Sequence, residues 1–387
     1  MRIAWISYGF EELCVQNVNA LAEEHEVLLV MPHPQPGETQ YAISDRVKHF
    51  GFDEPRLRQP LRQLSCVAAI RRQIDAFKPD VVHFQQGHMW FNTALRSLKR
   101  YPLVATIHDP RHHAGDMSSR KTPQWVMDYG FRKADHVIVH GEALAAQVQQ
   151  LFGFASDRVH VVAHVAMGQV EGATAVAEEP HNVLFFGRIW DYKGLEYLIA
   201  AEPLIAKEVP DSKIVIAGRG DDFSRYQKLI GDSPRFEIHN RWISDQQRAE
   251  FFQRAAIVVL PYTEATQSGV VPVAQMYAKP VVATRVGALA ECVLDRQTGL
   301  LVPPRDPQAL ATAIIQLLKD PAQRRALGDA GFDRLQAEAS PAVVARQTVA
   351  VYEQAIADRQ RGSKPSPAQA SATQPTQTLG SPSHVNQ

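Results

Sequence analysis

Cysteine is nearly absent from this 387-residue chain: there are three, Cys14, Cys66 and Cys292, and no two lie close in sequence. That spacing excludes a disulfide framework, a thiolate metal cluster and a Cys-x-x-Cys redox pair, and it suits a reducing, cytoplasmic setting. Net charge is absent too, with 41 Lys plus Arg against 41 Asp plus Glu. No general positive field is available to hold nucleic acid, so no nucleic-acid partner is expected. No apolar run is long enough to cross a bilayer. The N-terminus, MRIAWISYGF followed by Glu11 and Glu12, reads as a strand rather than a signal peptide. A nucleotide-binding Gly-x4-Gly-Lys-Ser/Thr loop is missing as well.

What the chain does have is alternation. Val- and Ile-rich runs (RIAWIS, EVLLVM, DVVHF, LVATI, HVIVH, VHVVA) are separated by helical patterns such as GEALAAQVQQLF. Uninterrupted apolar strands of this kind are buried on both faces, as in a parallel sheet built from βαβ units. Residues 168–180 are rich in Ala, Gly and Glu without an apolar face, and read as a linker. The alternation then restarts with NVLFFG, KIVIAG, RFEIH, IVVLP and PVVAT, and a helix with a stripe at Leu310, Ile314, Leu317 and Leu318.

The expected organisation is therefore α/β with two Rossmann-like parallel-sheet domains, 1–167 and 181–345, facing a deep cleft. A helix over 346–359 packs back on the first domain, and the tail 360–387 is disordered because it has too little apolar surface to offset its ordering entropy. Ligands should sit in the loops at the carboxyl ends of the strands.

Three loops carry chemistry. Gly187-Arg188-Ile189-Trp190-Asp191-Tyr192-Lys193-Gly194 follows a strand and precedes a helix. Gly187 allows a close turn, and Arg188 with Lys193 brings two cations to a helix start, which suits a diphosphate or, more plainly, a solvated turn. Ala217-Gly218-Arg219-Gly220 is a strand-to-helix turn whose glycines allow close approach. The segment 260–272 holds Glu264, a lone carboxylate that could meet sugar hydroxyls or cap the next helix. In the same segment Thr266, Ser268, Gly269 and Val270 open a helix whose free N–H groups suit phosphate oxygens.

Taken in this order, these pieces resemble the retaining glycosyltransferases of family 4, which have the GT-B fold. Further matches are Lys279 to Thr284, Gly287 to Glu291 and the Thr-Gly-Leu-Leu-Val-Pro segment at 298–303. The resemblance spans about residues 1–355. It implies transfer of a sugar from a nucleoside-diphosphate sugar to a glycan, a lipid-linked sugar or a small molecule. Neither cofactor nor metal would be needed, because side-chain cations and helix dipoles take the metal's place.

It also implies roles. Arg188 and Lys193 bind the donor diphosphate, and the backbone at Ser268, Gly269 and Val270 adds contacts. Arg241, Trp242 and Ile243 line the base pocket, and His108 points at the donor sugar. Gly9 and Phe10 lie on the acceptor side. Two departures stand out. The second Glu of the family's Glu-x7-Glu is replaced by Pro272 or Val273, which leaves the nucleotide ribose to another group. The usual Gly-Gly pair after strand one is Ser7-Tyr8-Gly9-Phe10-Glu11, so acceptor identity does not carry over. The missing carboxylate keeps two alternatives in view: a sugar-nucleotide epimerase of the same fold and a non-catalytic nucleotide-sugar-binding protein.

Two clusters outside these loops invite sharper readings. His108, His112 and His113 with Asp109 and Asp116 have ligand-like spacing, but in a loop that spacing has little meaning, and no metal site is expected. Between Arg56 and Arg72, Arg58, Arg62 and Arg71 interleave with Leu57, Leu61, Leu64, Val67 and Ile70. The plain reading is a solvated helix face; the sharper one is peripheral contact with the inner face of a membrane.

Overall fold

The structure is a computed structural model and describes residues 1–34, 40–112, 122–170, 172–220 and 222–362. The expected disordered tail therefore falls, from residue 363 on, outside the described residues.

In the first half, β1 (Arg2–Ile6), α1 (Glu11–Leu21), β2 (Glu26–Pro32), β3 (Val47–Phe52), α2 (Pro60–Phe77) and β4 (Val81–Gln85) come first. They are followed by α3 (Leu95–Leu98), β5 (Leu103–Thr106), α4 (Gln124–Phe131), β6 (His136–Val139), α5 (Glu142–Phe152) and β7 (Val159–Val161). All strands pair in parallel in the order β3-β2-β1-β4-β5-β6-β7. Strands β1, β4, β5 and β6 are almost wholly buried, which explains their unbroken apolar sequences. The run VKHFGF was not read as a strand. As β3 it lies at the sheet edge and buries only Val47 and Phe52, so it lacks the apolar continuity that marks the others.

The second half begins with β8 (Asn182–Phe186), α6 (Leu195–Glu208), β9 (Lys213–Gly218), α7 (Ser224–Ile230), β10 (Phe236–Asn240) and α8 (Asp245–Arg254). Then come β11 (Ile257–Leu260), α9 (Val270–Met276), β12 (Val281–Thr284), α10 (Leu289–Cys292) and β13 (Gly299–Val302). This sheet is also all parallel, in the order β10-β9-β8-β11-β12-β13. The architecture is GT-B: two Rossmann-like sheets, each with its own core.

Three helices end the fold, α11 (Pro307–Lys319), α12 (Pro321–Ala339) and α13 (Pro341–Gln360). Asp306 starts α11 by accepting the Ala309 N–H at 2.9 Å, and α11 buries Leu310, Ile314, Leu317 and Leu318 as the stripe predicts. Helix α13 returns to the first sheet. Its Val344, Val351 and Tyr352 join the core around Ile3 and Trp5, and the Tyr352 hydroxyl lies 2.5 Å from His83 Nδ1 on β4. Each buried side chain there contributes about 1.5–3 kcal/mol, enough to fix where the chain's end docks.

The strand orders decide where a ligand can go. In each sheet the order reverses beside the first strand, between β1 and β4 and between β8 and β11. The loops on either side of such a point diverge and leave a crevice. Those loops are 7–10 in the first sheet, and 187–194 and 261–269 in the second.

Candidate functional site

A cavity of ≈ 430 Å³ lies where these crevices face each other. Of the residues expected from sequence, Phe10, Gly187, Arg188, Gly218, Trp242, Ile243 and Gly269 line it. Gly9, His108, Lys193, Glu264, Thr266, Ser268 and Val270 are not in its wall.

The two turns that floor the cavity touch through bare backbone. The Gly187 N–H bonds the Ala217 carbonyl at 2.9 Å, and a Cβ on Gly218 (φ 148°) would collide with the Gly187 carbonyl oxygen. Only glycine permits that approach, which sets Arg188 at the end of β8 facing inward. The Arg188 guanidinium lies 3.9 Å from the Trp190 ring centroid. Lys193 closes a 3₁₀ turn, Asp191–Lys193, that Gly194 ends in the left-handed region (φ 64°). Its ammonium sits 3.8 Å from the Tyr262 ring centroid, beneath the cavity wall. Burial pushes Lys193 well below the usual lysine range, the neighbouring Arg188 guanidinium pushes it further, and Asp109 opposes both. Among the described residues neither Arg188 nor Lys193 has an ion-pair partner within 4.0 Å, although 23 other pairs are formed. Two neighbouring cations, one of them buried, with no ion-pair partner within 4.0 Å among the described residues form a site that favours an anion.

His108 is placed differently from the expectation that it points into the sugar space. It is fully buried, stacked on Phe10 at 4.0 Å between centroids. The Gln85 carbonyl oxygen lies 2.6 Å from Nε2, so Nε2–H donates to it, and Nδ1 accepts from the Gln267 amide at 3.0 Å. Burial, with His164 adding, lowers its pKa to about 3, so the ring is neutral. The Thr266 hydroxyl bonds the Asp109 carboxylate in the same seam between the domains. Glu264 is exposed. The Val270 N–H is taken by Ser268 Oγ at 3.3 Å, and within this loop Gln267 and Gly269 face the cavity.

Of the histidine–aspartate run, His113 and Asp116 lie outside the described residues, and His112 Nε2 bonds the Thr122 carbonyl at 3.1 Å. Among the described residues no group of three or more His, Cys, Asp or Glu side chains is arranged to hold a metal ion.

Sequence reasoning missed the network that joins the two domains beside the cavity. Glu12, in the first turn of α1, pairs with Arg248 of α8 through two bonds of 2.7 and 3.2 Å and accepts the Gly168 N–H at 2.6 Å. Tyr41 donates to Asp245 at 2.7 Å, and Asp245 lies 3.3 Å from Arg248. Both ends of the pair are nearly buried, and Glu12 above all raises the Arg248 pKa against its burial. Local sequence fixes the C-domain half: Ser244 and Gln247 form a reciprocal capping box that starts α8 and aims Asp245 and Arg248 from its first turn. A signal for Glu12 existed, since it stands in a helix whose next residues, Leu13, Cys14 and Val15, are all buried. Nothing in sequence pointed to a partner 236 residues away. Glu291 makes the other crossing: its carboxylate accepts the Glu142 and Ala143 N–H groups at 2.7 and 2.9 Å and so caps α5.

Comparison with known proteins follows the same division. Residues 9–164 match a family model described as Glycosyltransferase Family 4, and residues 180–320 match one described as Glycosyl transferases group 1. A glycogen synthase from Mycobacterium tuberculosis is 28% identical over 293 residues, covering 72% of this chain and 69% of the relative. An alpha-D-kanosaminyltransferase from Streptomyces kanamyceticus is 27% identical, covering 65% and 70%. Among solved structures, a sucrose-phosphate synthase from Thermosynechococcus elongatus superposes with a TM-score of 0.70 at 22% identity, covering 92% of this chain and 99% of that one. HepE from Anabaena, solved in complex with UDP, superposes with a TM-score of 0.64 at 18% identity over 92% of this chain and 100% of that one.

Proposed function

Because the chain belongs to glycosyltransferase family 4 of the group 1 glycosyl transferases, we propose that it moves a sugar from a nucleoside-diphosphate sugar to a hydroxyl acceptor with retention at the anomeric carbon. In this reading residues 1–167 form the acceptor side and residues 181–345 hold the donor, joined by 168–180. The observation that carries it is the pair of neighbouring cations, Arg188 and Lys193, at the carboxyl end of the second sheet, with no ion-pair partner within 4.0 Å among the described residues. The HepE structures with UDP and with UDP-glucose support a nucleotide sugar as the donor.

Breaking the sugar–phosphate bond builds negative charge on the departing diphosphate, and donors fixed in advance lower that barrier most. Arg188 faces that charge directly, and Lys193 supports it from beneath the wall. The Gly187 and Gly218 turns let the diphosphate approach the backbone, and exposed Trp242 with Ile243 offers a face for the base. His108 is not the base for the acceptor proton, since its pKa is about 3 and both ring nitrogens are engaged. In this reading a donor phosphate oxygen takes the acceptor proton, which fits retention. The seam between Gln267 and His108 parts and closes around the sugar, so water is kept from it.

Incubation with a panel of nucleotide sugars, with and without hydroxyl acceptors, tests the reading. Acceptor-dependent release of nucleoside diphosphate is expected. Isomerised donor without an acceptor, or donor binding without release, would replace it with an epimerase or a binding protein.

Lys193 gives this reading a pH signature. Its pKa is depressed in the free protein, and a bound diphosphate favours the ammonium form and raises it. Donor binding should therefore take up a proton, and affinity should fall as pH rises through the free-protein pKa. Calorimetry in buffers of different ionisation enthalpy reads the proton directly; uptake absent at every pH contradicts the placement.

The membrane reading takes the outer face of α2. Val67, Ile70, Ile74 and Phe77 face the core, whereas Leu61 and Leu64 are 82% and 47% exposed beside exposed Arg62, Arg71 and Arg72. We propose that this face rests on an anionic bilayer. Among the described residues no helix is long and apolar enough to cross one. Cosedimentation with phosphatidylserine vesicles should fall with salt and with Arg62→Glu/Arg71→Glu; equal binding to neutral vesicles would refute the contact.

A further inference from the structure

A cavity of ≈ 590 Å³ opens at the amino ends of β5, β6 and β7, the opposite end of the first sheet from the donor-facing loops. The segments that enter those strands wall it, with Lys99 before β5, Asp135 before β6 and Arg158 before β7. Arg132, just past α4, and the end of α13, through Asp358 and Arg359, close it. Four cations on its wall thus face two carboxylates.

The carboxylates are already engaged. Asp135 accepts the Leu103 N–H at 2.9 Å and lies 3.9 Å from Arg359. Asp358 lies 3.2 Å from His136 Nε2 and 4.0 Å from Arg361. Among the described residues Lys99, Arg132 and Arg158 have no ion-pair partner within 4.0 Å. Arg132 donates to the Phe152 and Leu151 carbonyls at 3.0 Å each, and Arg158 donates to the Asp135 carbonyl at 3.4 Å. A guanidinium carries more N–H groups than these bonds use, so both keep free donors. Residues 363–387 hold no Asp or Glu to pair with them. Burial first, and the Arg158 charge second, hold His136 below the ordinary histidine pKa, so the imidazole adds no charge near neutral pH.

A concave wall concentrates the field of its charges, so this excess draws an anion. Phosphate suits it better than carboxylate. It offers three oxygens to cations that arrive from three segments, it matches the guanidinium fork, and it carries close to two charges near neutral pH. A cavity of this size belongs with an organic ligand rather than a bare ion, and Phe152 and Phe154 give it an apolar wall for the organic body. We propose that this cavity binds a small phosphomonoester, with its phosphate on Lys99, Arg132 and Arg158. The bound phosphate also draws Arg359, and so fastens the last turn of α13 to the first sheet. The site lies apart from the donor cavity and does not depend on the transfer reading.

The test is calorimetric titration of the full chain at low salt, in the wild type and in Arg188→Ala/Lys193→Ala, which lacks the anion grip of the donor cavity. The probes are glucose 1-phosphate, glucose 6-phosphate, glycerol 3-phosphate, inorganic phosphate and succinate. At least one ester should saturate Arg188→Ala/Lys193→Ala and bind it about tenfold more tightly than inorganic phosphate or succinate does. Adding Lys99→Ala or Arg158→Ala to that chain should each weaken the ester about tenfold, the loss of one charge-assisted hydrogen bond. Amide exchange of residues 357–360 in the wild type should slow when the ester is present. Lys99 is exposed, so its variant decides the question even if Arg158→Ala fails to fold. Binding confined to the wild type would place the ester in the donor cavity and overturn the site. So would the lack of any saturating ester, undiminished affinity in Lys99→Ala, inorganic phosphate or succinate binding as tightly as the esters, or unchanged exchange at the end of α13.

Discussion

Arg188→Ala and Lys193→Ala should each lower turnover of a nucleotide sugar by about 10²–10³-fold, the usual loss when one fixed donor to a developing anion is removed. The two should differ in how the loss divides. Arg188 lines the cavity and meets the diphosphate both before and during bond breaking, so its removal should raise KM as well as lower kcat. Lys193 lies beneath the wall against Tyr262, and its charge is costly until an anion arrives. Its contribution should fall on kcat, where the leaving diphosphate gathers charge, and also on donor affinity, where it is largest below the free-protein pKa of the ammonium. Arg188→Lys should recover only part of the activity, because an ammonium cannot present the paired N–H groups of a guanidinium. Steady-state assay of diphosphate release measures all three; wild-type kinetics in both alanine variants would remove the anion grip from the site.

Removing Arg248 should cost about 3–5 kcal/mol, because Glu12 is left as a buried, uncompensated carboxylate, and removing Glu12 should cost less, because Asp245 still lies 3.3 Å from Arg248. The cost falls on domain closure more than on either core, since α1 and α8 belong to different domains. Glu12→Ala and Arg248→Ala should therefore enlarge the radius of gyration in small-angle X-ray scattering and raise donor KM more than they lower kcat. The double variant Glu12→Leu/Arg248→Met should recover part of the loss, because neither half of the pair is stranded, but not all of it, since Asp245 loses Arg248 and keeps only the Tyr41 hydroxyl. The Gly168 N–H that Glu12 accepts would remain unpaired, a penalty of about 1–3 kcal/mol. Single variants as compact as the wild type would show that the closed arrangement does not depend on this pair.

The sheets were legible because burial on both faces leaves no freedom: IVVL has no polar residue to place and VVAT only Thr284, whose hydroxyl donates to the Tyr262 carbonyl at 2.6 Å, so they read as central strands without help. The edge strand β3 was not, since Lys48 and His49 face solvent and erase the pattern. The site was legible where one loop carries its own reason. Gly187 and Gly218 are the only residues that fit where their turns abut, and Arg188 follows directly from Gly187. The same logic reaches His108 at the end of β5 but not its surroundings. Phe10, Gln85 and Gln267, from three other segments, cover it and occupy both its nitrogens.

By itself, then, the amino-acid sequence determined two parallel sheets, their turn glycines and the cation that leaves β8, because apolar continuity and backbone sterics act within a few residues. Only the tertiary structure decided that Glu12 closes on Arg248 and that Lys193 and His108 lie behind the cavity wall. Those facts depend on desolvation by residues far apart in the chain, and charge, tautomer and accessibility are set by such surroundings rather than by neighbours in sequence.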